Sequence, residues 1–203
     1  MDHISRKIAM SLIVVAKEKE KSITLFLKEV SSKGSGQLQG LDHKLKSVES
    51  LTRKLIAKSQ LKKVDIEAYA KEISDVLRYT NVSSGDKLVD DYFVFVEEFR
   101  VNGYNFIDVK NSFIDKFPAY KGVNTTVEDP DGFRFELQFH TKESLETKEK
   151  NHVLYEEQRE SGTSDERKNE LYQEMVRNSA AVLLPARIYT IKNFTVTRNE
   201  GKK

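Results

Sequence analysis

The chain predicts an α+β fold: a small mixed β-sheet flanked by helices, with a long N-terminal helical segment. Three observations predict it. Helical patterns bracket the chain, with apolar residues at helical spacing in its N-terminal part and two charged helices towards the other end. Strict alternation of apolar and polar residues is confined to the middle, most clearly in Phe133–His140. A dense turn signal, Glu128-Asp-Pro-Asp-Gly, joins that run to the one before it.

Taken in order, Ile4, Ile8, Leu12 and Val15 set a helical phase that Ile23, Phe26 and Val30 resume, which predicts helix over residues 3–31. Ser31-Ser-Lys-Gly-Ser-Gly breaks it, and Gly40 closes the linker. Residues 42–58 return to helical spacing, with Leu45, Val48, Leu51 and Leu55 on one side. A short helix over 64–73 leads into a strand beginning at Asp75. Residues 86–101 read as a helix on Leu88, Phe93, Val96 and Phe99, ended by Gly103. A strand is expected within 104–117, then a hairpin of 121–127 with 133–141. Two charged helices follow at about 143–160 and 165–184, parted by Ser161-Gly-Thr-Ser, with Pro185 ending the second. Residues 188–197 form a last strand or an irregular tail. This divides the chain into a helical segment and linker (1–40), a main domain (41–185) and a C-terminal tail (186–203).

Composition narrows the function. Thirty-four Lys and Arg against 32 Asp and Glu give a net charge of only +2, so any anion site is local rather than global. The absence of cysteine removes disulfides, thiolate zinc sites and cysteine nucleophiles. The longest apolar run, Ile8–Ala16, is too short to span a bilayer as a helix. It continues into Lys-Glu-Lys-Glu-Lys without a small-residue cleavage site, so neither a membrane partner nor a signal peptide is expected.

Two stretches carry candidate chemistry. In Phe133-Arg-Phe-Glu-Leu-Gln-Phe-His, period two sends Phe133, Phe135, Leu137 and Phe139 to the core and Arg134, Glu136, Gln138 and His140 to the other face. That face reads either as solvated or as an acid, an amide and an imidazole able to hold a metal or polarise a hydroxyl. In Lys44-Leu-Lys-Ser-Val-Glu-Ser-Leu-Thr-Arg-Lys, helical spacing places Lys46, Ser50 and Lys54 on one face, which suits a polyphosphate. On the later helix, Lys148, His152, Tyr155 and Arg159 form one stripe, either solvated or a second wall facing Glu136. His3 and His43 read as surface residues.

The order and spacing of these pieces resemble the RelA/SpoT-type (p)ppGpp synthetase domain, including its small alarmone synthetase and toxin-like members. The resemblance rests on Lys44-x-Lys46-x-x-x-Ser50-x-x-x-Lys54, then Asp75, then Tyr120-x-x-x-Asn-Thr-Thr-Val, then Glu136-Leu-Gln-Phe-His-Thr, and covers about residues 42–160. It implies a nucleotidyltransferase-like fold and transfer of the β,γ-pyrophosphate of ATP to the 3′-hydroxyl of a purine nucleotide. It further implies that Lys44, Lys46, Ser50 and Lys54 hold the ATP phosphates, and that Asp75 and Glu136 bind Mg²⁺. Glu136 would also take the acceptor proton and Tyr120 would stack on the acceptor base. Asn124 and Lys110 would lie on the acceptor side, and Gln138, His140, Lys148 and Arg159 would complete the cleft.

The sequence departs from the family where Lys44 replaces the usual Arg, Asn124 a His and His140 an Arg. Arg78-Tyr79 replaces small and aliphatic residues after the metal Asp. These departures bear on acceptor choice, where adenosine is favoured over guanosine and tRNA stays open. Asn102-Gly103-Tyr104 mimics a family tripeptide but stands too far from Glu136 to serve as one. The resemblance implies action in the cytoplasm, as a stand-alone synthetase or as the toxin module of a secreted effector with an antitoxin or immunity protein. Pyrophosphoryl or nucleotidyl transfer to an RNA 3′ end, and a lapsed nucleotide-binding module, are the competing readings.

Overall fold

Helix α1, Asp2–Ser32, buries Ala9, Ile13, Ala16, Ile23, Leu27 and Val30 along one side. This face is rotated by one residue from the expected Ile4–Ile8–Leu12–Val15 stripe, and Ile4 and Val15 are exposed. The small side chains of Ser5, Ala9 and Ala16 explain the difference, since they let α1 lie close to its neighbours where the bulkier stripe would hold it off. The computed structural model describes residues 2–62, 65–116, 118–160 and 162–196. Val64, Phe117, Ser161 and Thr197, at the margins of expected elements, lie outside them.

The linker is not structureless: Gln37–Gln39 form strand β1 at the sheet edge, too short and polar to stand out in the sequence. Helix α2 spans Val48–Lys62 and buries Leu51 and Leu55 as expected. Helix α3, Ile66–Glu72, is capped by the Asp65 carboxylate on the Glu67 N–H. Strand β2 covers Arg78–Val82 and helix α4 covers Leu88–Val101. Gly103 ends α4 at φ +76°, and the Tyr104 N–H returns to the Phe99 carbonyl at 2.9 Å, a closure that a left-handed residue makes accessible.

Strand β3, Asn105–Asn111, precedes the hairpin of β4, Val123–Glu128, and β5, Arg134–His140. The Asp129 carboxylate accepts from the Asp131 and Phe133 N–H groups, and Gly132 takes φ +85°. Helix α5, Lys142–Arg159, starts in a reciprocal Thr141–Ser144 capping box. Helix α6 runs Asp165–Ala180, four residues short of the expected end, and a two-residue strand β6, Phe194–Thr195, pairs with β3.

The sheet order is β1-β2-β5-β4-β3-β6, mixed because β2 and β5 run parallel while the other pairs are antiparallel. One face carries Tyr79, Phe135, Leu137, Phe139, Val123 and Val127 into a single core with α1, α2 and α4. Aromatic side chains dominate it: Phe95 meets Phe139 edge-on at 5.3 Å, and Phe26 stacks on Tyr104 at 4.4 Å. The Tyr79 hydroxyl reaches Thr24 at 2.7 Å, tying α1 to β2. Among the described residues no helix is long and apolar enough to cross a membrane.

Candidate active site

The second face of the sheet carries the polar alternates. Cross-strand pairing aligns Arg78, Glu136, Thr126 and Asp108 in one row. Thr80, Gln138, Asn124 and Lys110 form the next. Directly paired residues project to the same side, so two rows spaced two residues apart make one surface. It is not the solvated face that a lone strand would present. Gln138 and His140 are buried, Glu136 and Asn124 half-buried, because α5 and the Tyr120 segment close over them.

At one end, Asp75 sits in the turn that enters β2. Lys46 donates to one carboxylate oxygen and Lys54 to the other, the latter at 2.6 Å. Lys46 does not share a helix face with Ser50 and Lys54 as the spacing suggested. Helix α2 begins only at Val48, where Ser47 caps it by accepting the Ser50 N–H at 3.1 Å. Leu45 and Lys46 instead bridge to the chain entering β2, with the Lys46 N–H on the Val76 carbonyl at 2.9 Å and the Arg78 N–H on the Lys44 carbonyl at 2.8 Å. A pairing partner at the entry to β2 outweighs helical propensity over these residues, which a local pattern cannot register. Burial pushes the Asp75 carboxyl up, but the Lys54 and Lys46 ammonium groups outweigh it and hold the carboxyl below its usual range.

In the middle, Gln138 Nε2 donates to Glu136 Oε1 at 2.5 Å, and Lys148 Nζ donates to Gln138 Oε1 at 2.5 Å. Lys148 therefore comes from the stripe on α5 to the sheet, while His152, Tyr155 and Arg159 stay exposed. Burial, then the charge of Asp75, raise the Glu136 carboxyl above its ordinary value, only partly offset by Arg78, Gln138 and Lys148. A carboxylate so tuned is a better proton acceptor than a free one at neutral pH.

At the far end, the Tyr120 hydroxyl donates to Asn124 Oδ1 at 2.9 Å and lies 2.8 Å from His140 Nε2. His140 Nδ1 lies 2.8 Å from Ser144 Oγ. Burial, then the Lys148 charge, lower His140 to about 3, so its imidazole is neutral. Tyr120, His140 and Ser144 thus form one buried chain of hydrogen bonds, in which Ser144 Oγ also donates to the Thr141 carbonyl at 3.1 Å. Gly122 makes room for it, because a Cβ there would stand 2.3 Å from Tyr120 Oη and 2.7 Å from His140 Cε1. The need at Gly122 is close approach, since its φ is not positive.

Other expected site residues stand apart. Lys44 directs its ammonium to Glu20, 3.2 Å away on α1, and to the Leu41 carbonyl at 2.9 Å. Ser50 lies one turn before Lys54 on α2 and is half-buried. Lys110 is exposed beside Asn124. Arg159 pairs with Glu156 at 3.5 Å and lies 5.2 Å over the Tyr155 ring, about 16 Å along α5 from Lys148. His3 and His43 are exposed. Arg78, read from the sequence only as a departure, lies directly beside Glu136. Its strand parity with Thr80 is the signal that could have placed it there.

Among the described residues no group of three or more His, Asp or Glu could hold a metal ion. Asp75 and Glu136 are two carboxylates close enough for the charge of one to raise the other. That donor set fits Mg²⁺, which is commonly held by one or two carboxylates with substrate phosphates completing its shell. A mostly apolar groove of about 250 Å³, lined by Tyr92, Phe93, Val96, Phe106, Ile191 and Phe194 together with Thr190 and Lys192, belongs to the core side of the sheet.

No family model and no curated protein matches the sequence. Solved structures do match the fold. The small alarmone synthetase 1 from Bacillus subtilis, bound to its product pppGpp, superposes with a TM-score of 0.53 at 15% identity, over 83% of this chain and 87% of that one. The type VI effector Tas1, solved with its immunity protein, gives 0.55 at 19%, over 86% and 95%. A GTP pyrophosphokinase family protein from Streptococcus pneumoniae gives 0.53 at 17%, over 83% and 84%. The fold is that of the small alarmone synthetases. In this synthetase fold the mixed sheet presents its polar face to α5, and the Asp75, Glu136 and Tyr120 clusters follow one another along that face.

Proposed function

We propose that the chain is an ATP-dependent pyrophosphokinase that transfers the β,γ-pyrophosphate of ATP to the 3′-hydroxyl of a purine nucleotide. The observation that carries this reading is the succession of Lys46, Lys54 and Asp75, then Glu136, Gln138 and Lys148, along the polar face of a synthetase-like sheet. Lys46, Lys54 and Lys148 supply positive charge for a polyphosphate, with Lys44 and Ser50 at its margin. Asp75 and Glu136 would hold Mg²⁺, which when bound neutralises charge on the phosphate oxygens. Glu136 takes the proton of the acceptor hydroxyl. The acceptor oxygen bonds to the β-phosphorus, the bond from that phosphorus to the oxygen bridging to the α-phosphate breaks, and AMP leaves with that oxygen.

On the acceptor side, Tyr120 offers a ring to a base, flanked by Asn124, His140 and Lys110. Asn124 and the neutral His140 supply hydrogen bonds without charge, which favours recognition of a base edge over a phosphate, with adenosine ahead of guanosine. The matched Tas1 complex supports an immunity-type partner and an effector role. ATP as donor makes the cytoplasm the site of action.

Incubation with γ-labelled ATP, Mg²⁺ and a panel of adenosine and guanosine nucleotides and tRNA tests the reading. Label on a purine nucleotide, released as pyrophosphate by hydrolysis of the 3′ ester, is the expected product. Label on tRNA alone would redirect the assignment to RNA 3′ ends, and ATP binding without transfer would leave only a binding module.

Lys46→Ala and Lys54→Ala are each expected to weaken ATP binding about tenfold, as loss of a charge-assisted phosphate contact does. Lys58→Ala, one turn beyond Lys54, should change it less than twofold, roughly the size of a long-range charge effect. Equal losses in all three by calorimetry would mean that the helix attracts ATP only through its overall charge.

Tyr120→Ala should raise the acceptor KM about tenfold or more while leaving ATP affinity intact, since stacking on a base contributes ~1–3 kcal/mol. A raised KM for ATP with an unchanged acceptor KM would remove the stacking role.

A further inference from the structure

Among the described residues, Arg78 is a half-buried cation on this polar face whose guanidinium has no bonded partner, although its charge acts on Glu136. Its backbone is fixed on both sides: its N–H is bonded to Lys44, and its Cα is in register with Glu136 on the parallel strand β5. The side chain is half-buried. Among the described residues its guanidinium makes no hydrogen bond and no ion pair. Its neighbours are engaged elsewhere: Asp75 with Lys46 and Lys54, and Glu136 with Gln138. Five directional donors are thus held beside the reacting carboxylate with nothing to bind.

The surrounding charges make this arrangement unfavourable without an anion. Four cations, Lys46, Lys54, Arg78 and Lys148, face two carboxylates, Asp75 and Glu136. After burial, the Arg78 charge is the next largest influence lowering the Lys148 ammonium, and it also acts on Lys46. An incoming group with two negative charges relieves that repulsion and satisfies the fork. A tetrahedral phosphoryl group presents paired oxygens at the spacing a planar guanidinium accepts, which an ammonium cannot match.

We propose that Arg78 is a further catalytic residue, whose guanidinium grips the non-bridging oxygens of the phosphoryl group under transfer. Its register position beside Glu136 assigns it to the phosphorus attacked by the acceptor. This rests on the pyrophosphokinase reading for the step, but the anion site itself does not require it.

Arg78→Ala and Arg78→Lys, made in the full chain, are compared with the wild type in two measurements: calorimetric binding of inorganic tripolyphosphate, and transfer from ATP with and without added guanidinium chloride at non-denaturing concentration. Arg78→Ala should weaken tripolyphosphate binding about tenfold and cut kcat by about 10²-fold, the usual loss when one preorganised donor to a transition state is removed. Arg78→Lys should recover most of the binding and little of the rate, because it restores charge without the fork. Added guanidinium should restore activity to Arg78→Ala only. Tripolyphosphate binding and kcat both within twofold of wild type in Arg78→Ala would overturn the proposal, as would full kcat in Arg78→Lys. If Arg78→Ala fails to fold, judged by circular dichroism, Arg78→Lys decides alone on its split between binding and rate. Wild-type tripolyphosphate binding that depends on Arg78, with no transfer to any acceptor, would refute the pyrophosphokinase reading and keep the anion site.

Discussion

Glu136→Gln is expected to lower pyrophosphate transfer by at least about 10²-fold while leaving the fold and ATP binding in place, the scale of a lost general base. The change is nearly isosteric, and the new amide can still present an oxygen to Gln138 Nε2, which now donates to Glu136 at 2.5 Å. What disappears is a proton acceptor and one negative charge. The same residue governs the pH profile. Burial and then Asp75 raise its carboxyl, so the active ionised form is present above that raised pKa and is lost as pH falls through it. The acid limb of kcat/KM should accordingly lie above the range of an ordinary glutamate and be absent from the residual activity of Glu136→Gln. Unaltered turnover, or a limb at or below the ordinary value, would remove Glu136 from the role of base.

Asp75→Asn should be more damaging still, with transfer reduced by about 10³-fold or more, because it removes a metal-binding carboxylate and the counter-charge of two lysines together. Lys46 and Lys54 now meet on its two oxygens. Without the charge they repel one another in a partly buried setting, and their approach to ATP loses its frame. Stability should report the same loss. Because the folded-state pKa of Asp75 is depressed, its contribution is present above the unfolded value and lost as pH falls through the folded one. The variant should melt below wild type at pH 7, and the gap should close in acid. Equal Tm values at neutral pH would show that the lysine pair does not depend on Asp75.

The sites differ in how far they could be read in advance. The alternation of Phe133–His140 is a property of the strand itself, so the division into Phe135, Leu137 and Phe139 inside and Glu136, Gln138 and His140 opposite followed from period two. Whether the polar side was wet was not local information, since it depends on α5 and Tyr120 folding across it. The lysine motif shows the converse. Residue types and their proximity to Asp75 were legible, but the reason for the proximity was not: Lys46 arrives on a segment bridged to the chain entering β2 and Lys54 on a helix. The α1 face was misplaced by one residue because hydrophobicity favours large side chains, whereas close helix packing here selected Ser5, Ala9 and Ala16.

By itself the sequence determined the α+β class, the number and order of most elements, the hairpin at Asp129–Gly132 and the residue types available for phosphate chemistry. These follow from backbone periodicity and turn stereochemistry, which act over a few neighbouring residues. Only the tertiary structure decided that α1 is part of the core, that β1 extends the sheet, and that Lys44 turns to Glu20 while Lys46 turns to Asp75. It alone put Arg78 beside Glu136 with its donors unspent. Pairing register, burial and charge between residues tens of positions apart in the chain depend on how elements meet, and no local pattern encodes that meeting.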